Sequence, residues 1–148
     1  MSRLSILNKV SDAAPDIDAA TFTAICLASC KRLPAMRRTA DARRLDRLVA
    51  AGAWTDAALA LIAIELPDWQ LRRLAFDDGE WHCALSTERR LPDFLDDATE
   101  TRHPDMAIAI LQAFQLAAAQ SGLTHLVAIR DRAAACGDAE LMCCDNYA

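Results

Sequence analysis

The sequence predicts an α+β fold, mainly helical, with a two-stranded antiparallel β-hairpin packed against helices. Three observations predict it. Apolar residues recur at helical spacing over 39–51, 56–66 and 104–121, the period switches to alternation over 71–86, and Asp78-Gly79 lies between the two alternating runs. A chain of 148 residues, 53% of them hydrophobic, has the size of one domain and can bury roughly two-thirds of its unfolded surface. The expected organisation is a poorly ordered segment over 1–17, a single α+β domain over 18–130 with its core at 54–121, and a tail over 131–148.

Each element has a local reason. A first helix is expected from Asp18 to Arg32, capped by Asp18, with Ala20, Ile25, Leu27 and Ala28 as its apolar set and Pro34 as its stop. A second is expected from Thr39 to Ala51. There Ala42, Leu45, Leu48 and Val49 make one stripe, Arg43, Arg44 and Arg47 take the other side, and Gly52 stands where a left-handed cap favours glycine. A third is expected from Asp56 to Leu66, with Thr55 as N-cap and Trp54 stapled onto Leu59. Residues 57–64 leave that helix almost no polar face, so it must be covered on more than one side. Pro67 ends it.

Asp-Gly between alternating runs is a strong hairpin signal, because both central residues of the favoured turn need positive φ. Taking Asp78-Gly79 as the loop sets Phe76 opposite Trp81, Ala75 opposite His82, Leu74 opposite Cys83 and Arg73 opposite Ala84. Leu74, Phe76, Trp81, Cys83 and Leu85 then share the core face. Residues 88–102 read as a polar connection with a short turn over Asp93–Asp97. A last helix opens at Pro104, with Asp105 at its positive end and Ala107, Ile110, Leu111, Phe114 and Ala118 along one face, and ends at Ser121-Gly122. For residues 123–130 strand and helix both stay open. A lone hairpin is only marginally stable, so the sheet is expected to be continued by a third strand or by a second copy of the chain.

Residues 57–117 resemble a known group of proteins in the order of their features. These are the Ala/Leu/Ile-rich helix, Leu66-Pro67-Asp68-Trp69, the run from Asp77-Asp78-Gly79-Glu80 to Ser86, and His103-Pro104 opening an Ala/Ile/Leu helix. The order is similar to that of a family of small uncharacterised bacterial proteins with a helix–β-hairpin–helix core, and more faintly to a helix–hairpin–helix sandwich domain of phage proteins. The resemblance implies a topology. It implies no activity, cofactor or site residue.

Charge and chemistry narrow the function classes. Residues 1–50 hold nine Lys/Arg against five Asp/Glu, whereas residues 51–148 hold seven against sixteen. The basic excess at Lys31, Arg32, Arg37, Arg38, Arg43, Arg44 and Arg47 suits a solvated face, an acidic surface of this chain or of another copy, or phosphate. No run approaches the roughly 18 apolar residues of a bilayer span, and Asp12, Asp16 and Asp18 lie where an export signal ahead of Leu27-Ala28-Ser29-Cys30 would carry Lys or Arg. A cytoplasmic location with reduced thiols is therefore expected.

Cys26 and Cys30 are spaced to share a helix face, but no CxxC or paired histidines complete a tetrahedral site, and adjacent Cys143-Cys144 suit one poorly. Cys83 reads as core. His82 and Cys83, adjacent on a strand, point to opposite faces and make no nucleophile–base pair. His125 lies in no motif. Asp93, Asp96, Asp97, Glu100, His103 and Asp105 form an acidic cluster in which Glu100-x-x-His103 has the spacing of a metal-binding helix pair, although such sites need two pairs. No catalytic residue, metal ligand or cofactor is assigned.

The function expected is a small cytoplasmic interaction or regulatory module, homodimeric and acting through protein contacts. The alternative is a nonspecific nucleic-acid accessory protein using Lys31–Arg47. Base reading is opposed because the helix after the basic one offers Ala, Leu and Ile rather than polar side chains. A third is an enzyme or metal-binding protein using the Asp93–Asp105 loop.

Overall fold

The computed structural model describes residues 17–87 and 98–138. They form helices α1 (Ala19–Ser29), α2 (Ala40–Ala50) and α3 (Trp54–Glu65), strands β1 (Gln70–Asp77), β2 (Glu80–Ser86) and β3 (Thr99–His103), and helix α4 (Met106–Asp138). The class is α+β and mainly helical, as the sequence predicts. Two compact units divide at Ala118/Ala119. The first carries the sheet and the helices up to Ala118. The second, where described, continues as helix to Asp138, which decides residues 123–130 as helical rather than strand. The expected turn over Asp93–Asp97, the segment 1–16 and Cys143-Cys144 lie outside the described residues.

The hairpin has the expected register. Phe76 pairs with Trp81, Ala75 with His82, Leu74 with Cys83 and Arg73 with Ala84. Asp78 at φ 51° and Gly79 at φ 84° supply the two positive dihedrals that the turn requires. A bulge between Leu71 and Arg73 interrupts the ladder near the start of β1. The third strand comes from the same chain. Residues 99–103, expected as part of a polar connection, pair antiparallel with β2 from Thr99 opposite Leu85 to His103 opposite Trp81. Thr99 and Thr101 favour extended backbone through β-branching, a signal masked by the charges of Glu100 and Arg102 beside them. Among the described residues, the order β1-β2-β3 makes β1 and β3 the edges. The bulge, the shortness of β3 and the charges of Arg73, Asp77, Glu100 and Arg102 are features that discourage edge-to-edge pairing.

One face of the sheet enters the core. Cys83 and Leu85 are fully buried beside Leu61, Ile110, Leu111 and Phe114 in one apolar cluster that also takes in Phe22, Ile25 and Leu45. Thr101 donates its hydroxyl to the Ala109 carbonyl at 2.7 Å, fastening β3 to α4. The apolar face expected from alternation is not uniform along its length. Trp81 is half-buried against the core while Phe76 is 58% exposed, the two rings meeting tilted at 56° with centroids 5.3 Å apart.

Two caps differ from expectation. Helix α3 starts at Trp54 with Ala53 as a cap that makes no side-chain bond, so Thr55 is not the N-cap and Trp54 is no staple ahead of it. Trp54 instead meets Phe22 of α1 with ring centroids 6.0 Å apart. Helix α4 opens at Met106 rather than Pro104. Asp105 caps it, accepting from the Ile108 amide at 2.9 Å, while Pro104 stays outside. The helix also runs through Ser121-Gly122. Among the described residues, no helix is long and apolar enough to cross a membrane.

Two outcomes follow from this packing. Phe114→Ala should lose about 3–5 kcal/mol in urea unfolding because the ring leaves an enclosed cavity, whereas Trp81→Ala, at the partly exposed margin of the core, should lose less. Burial also pushes the Cys83 thiol up from 9.0 to about 12. The unfolded thiol therefore ionises first, so the stability present below pH 9 is lost as pH rises towards 12. Thermal melts should show the advantage of wild type over Cys83→Ala shrinking across that window.

Candidate functional site

The first candidate site begins with a charged residue in an apolar helix. Glu65 is the single charged residue between Ala57 and Leu66, and it is buried at 8% exposure. Its carboxylate accepts the backbone amide of Lys31 at 2.9 Å and of Arg32 at 2.9 and 3.0 Å, and also that of Leu33. The reason lies in the local chain. Residues 32–36 make a tight helical turn in which the amides of Ala35 and Met36 bond back to the Arg32 carbonyl. The leading amides of such a turn have no partner of their own, and Pro34 offers none. Successive amides facing one way form a concavity for an anion, and Glu65 fills it from a distant helix.

This anchor sets where α1 ends. The Cys30 amide makes the final bond of the helix ladder, to the Cys26 carbonyl at 2.9 Å. The next three amides turn to Glu65 instead, so α1 stops at Ser29 rather than at the expected Arg32. The chain then reaches Thr39, which caps α2 through the Ala42 amide at 3.3 Å and donates its own hydroxyl to Met36 at 2.8 Å.

Between α1, this turn and α2 lies an open groove of about 400 Å³. Phe22, Leu27, Leu33, Pro34, Leu45 and Val49 give it apolar walls, and Arg37 and Asp46 add one charge of each sign. Leu27 is 78% exposed, although its spacing places it in the apolar set of α1. Lys31, Arg32, Arg37 and Arg38 on the joining turn are all exposed, as are Arg43, Arg44 and Arg47 on α2.

Cys26 and Cys30 line the same groove, half-buried and free. They share a helix face, as their spacing predicts. A hydrogen bond between the two thiols draws the Cys26 pKa below its ordinary value despite burial and the nearby Glu65 carboxylate. The same bond, with burial and the charges of Cys26 and Glu65, pushes the Cys30 pKa up.

The other sequence candidates do not converge. On β3, Glu100 pairs with Ala84 and His103 with Trp81, so the two stand on opposite faces of the sheet and cannot hold one ion. The metal-binding helix pair is thus overturned, because these residues form a strand. His103 serves the start of α4, its Nδ1 accepting the Asp105 amide at 2.9 Å. Asp93, Asp96 and Asp97 lie outside the described residues. No group of three His, Cys, Asp or Glu side chains among the described residues could hold a metal. His82 and Cys83 face opposite ways, as expected, with only Cys83 fully buried.

Sequence spacing alone does not single out Glu65. The available signal is its isolation in an otherwise apolar run, since a charge there must find a partner. Glu65→Gln leaves an amide group facing donors and should destabilise the chain by about 3 kcal/mol, because hydrogen bonds to a charged acceptor are the stronger kind. Hydrogen exchange should then show faster amides at 31–33 while those of β2 keep their order of protection. No family model, curated protein or solved structure matches this chain.

Proposed function

We propose that this chain is a protein-interaction module whose α1–α2 groove receives an acidic amphipathic segment of a partner. The observation that carries the reading is the combination of apolar walls and exposed basic turn. Leu27, Leu33, Pro34 and Val49 offer surface for a partner's apolar stripe, and Lys31, Arg32, Arg37 and Arg38 beside it favour acidic flanks. An apolar groove entered by one face of a helix is a recurrent mode of peptide recognition, and complementary charge adds rate and specificity. The edges of the sheet, bulged and charged, suit a partner less well.

A second reading is self-association, so that the module is a homodimer. Leu27 supports it, because a protruding apolar side chain beside a groove on the same face is self-complementary under two-fold symmetry. Salt separates the two. Screening weakens an acidic partner's attraction and relieves repulsion between two basic faces.

The test uses a fluorescent helical peptide with leucines at i, i+3, i+4 and i+7 and glutamates elsewhere, followed by anisotropy. Binding that weakens with salt, fails with lysines in place of the glutamates and is lost in Leu27→Glu is the expected result. Sedimentation showing a dimer that tightens with salt and is lost in Leu27→Glu would support the second reading. A monomer that ignores the peptide would overturn both.

A further inference from the structure

We propose that Cys26 and Cys30 form a dithiol site that exchanges with small disulfides of the glutathione class, Cys26 attacking and Cys30 resolving. Cys26 on the last turn of α1 and Cys30 as its C-cap both line the open groove, so a tripeptide disulfide reaches them, whereas Cys83 is sealed in the core. Four residues along a helix bring Cα atoms about 6 Å apart, inside the roughly 4.4–6.8 Å range of disulfides. That spacing leaves Cβ atoms roughly 5–6 Å apart where a disulfide needs roughly 3.5–4.5 Å, so the chain at Cys30 must shift. Cys30 is the cap, with φ −86° and ψ 128°, so it lies outside the helix proper. Drawing the two sulfurs together therefore strains a single ladder bond, that from the Cys30 amide to Cys26.

The two thiols hydrogen-bond to each other, with the negative charge assigned to Cys26 and the proton left on Cys30. Glu65 and burial oppose that charge, and exposed Lys31, Arg32 and Arg37 attract an anionic disulfide to the groove.

The exchange balances in two steps. The Cys26 thiolate attacks one sulfur of oxidised glutathione, forming a mixed disulfide and expelling one glutathione thiolate, which takes up the proton that Cys26 released. Cys30 then gives its proton to solvent and attacks the Cys26 sulfur. The second glutathione leaves as thiolate and is protonated in turn. Two protein thiols are oxidised and one glutathione disulfide is reduced to two thiols.

The experiment uses the full chain with Cys136, Cys143 and Cys144 changed to Ser, oxidised glutathione at pH 7, acid quenching and peptide mass spectrometry. Wild-type positions 26 and 30 should yield an internal disulfide and two released glutathiones per chain. Cys30→Ser should trap one glutathione on Cys26, and Cys26→Ser should react about tenfold more slowly. Iodoacetamide should label Cys26 several-fold more slowly in Cys30→Ala than in Cys30→Ser, because alanine removes the donor that serine keeps. Preferential modification of Cys30, a mixed disulfide that never resolves, or equal labelling in the alanine and serine variants would overturn the assignment.

Discussion

The carboxylate of Glu65 is the interaction on which the groove depends. A buried charge is costly unless hydrogen bonds replace the water it has lost, and Glu65 obtains them from the amides of Lys31, Arg32 and Leu33. Those amides would otherwise be the unpaired start of a helical turn. One contact thus satisfies both sides, ends α1 and anchors the turn that leads into α2. The apolar groove wall at Leu33 and Pro34 and the separation of α1 from α2 follow from it.

The same anchor shapes the chemistry of the groove. By diverting the chain after Cys30, it leaves that residue as a cap rather than as a member of a continuing helix. The two thiols remain neighbours, with one donating to the other, in a place open to solvent but walled by apolar side chains. The carboxylate that organises the turn also sets a negative charge near both sulfurs, so the polarity between them rests on their mutual hydrogen bond and not on the wider field.

The sheet serves a different purpose. Cys83 and Leu85 of the central strand fill the core together with α3 and α4, and Thr101 ties the last strand to the helix that follows. At its distal end Trp81 still packs against the core while its neighbour Phe76 is exposed. The chain supplies both neighbours of β2, so the hairpin gains its support internally.

Much of the fold was legible from local rules. The Asp78-Gly79 turn, the hairpin register, the Asp18 cap and the stripe of α2 depend on residues close in sequence, and the chain alone determined them. β3 was hidden because its charged residues resemble a loop until β2 supplies hydrogen-bond partners. The helical course of 123–130 was hidden by Ser121-Gly122, which reads as a stop although the helix runs through it. Of the site, the shared face of Cys26 and Cys30 could be read from their spacing. The exposure of Leu27, the reach of Glu65 to amides more than thirty residues away and the groove itself were decided by tertiary structure, because burial and long-range hydrogen bonds depend on which elements meet.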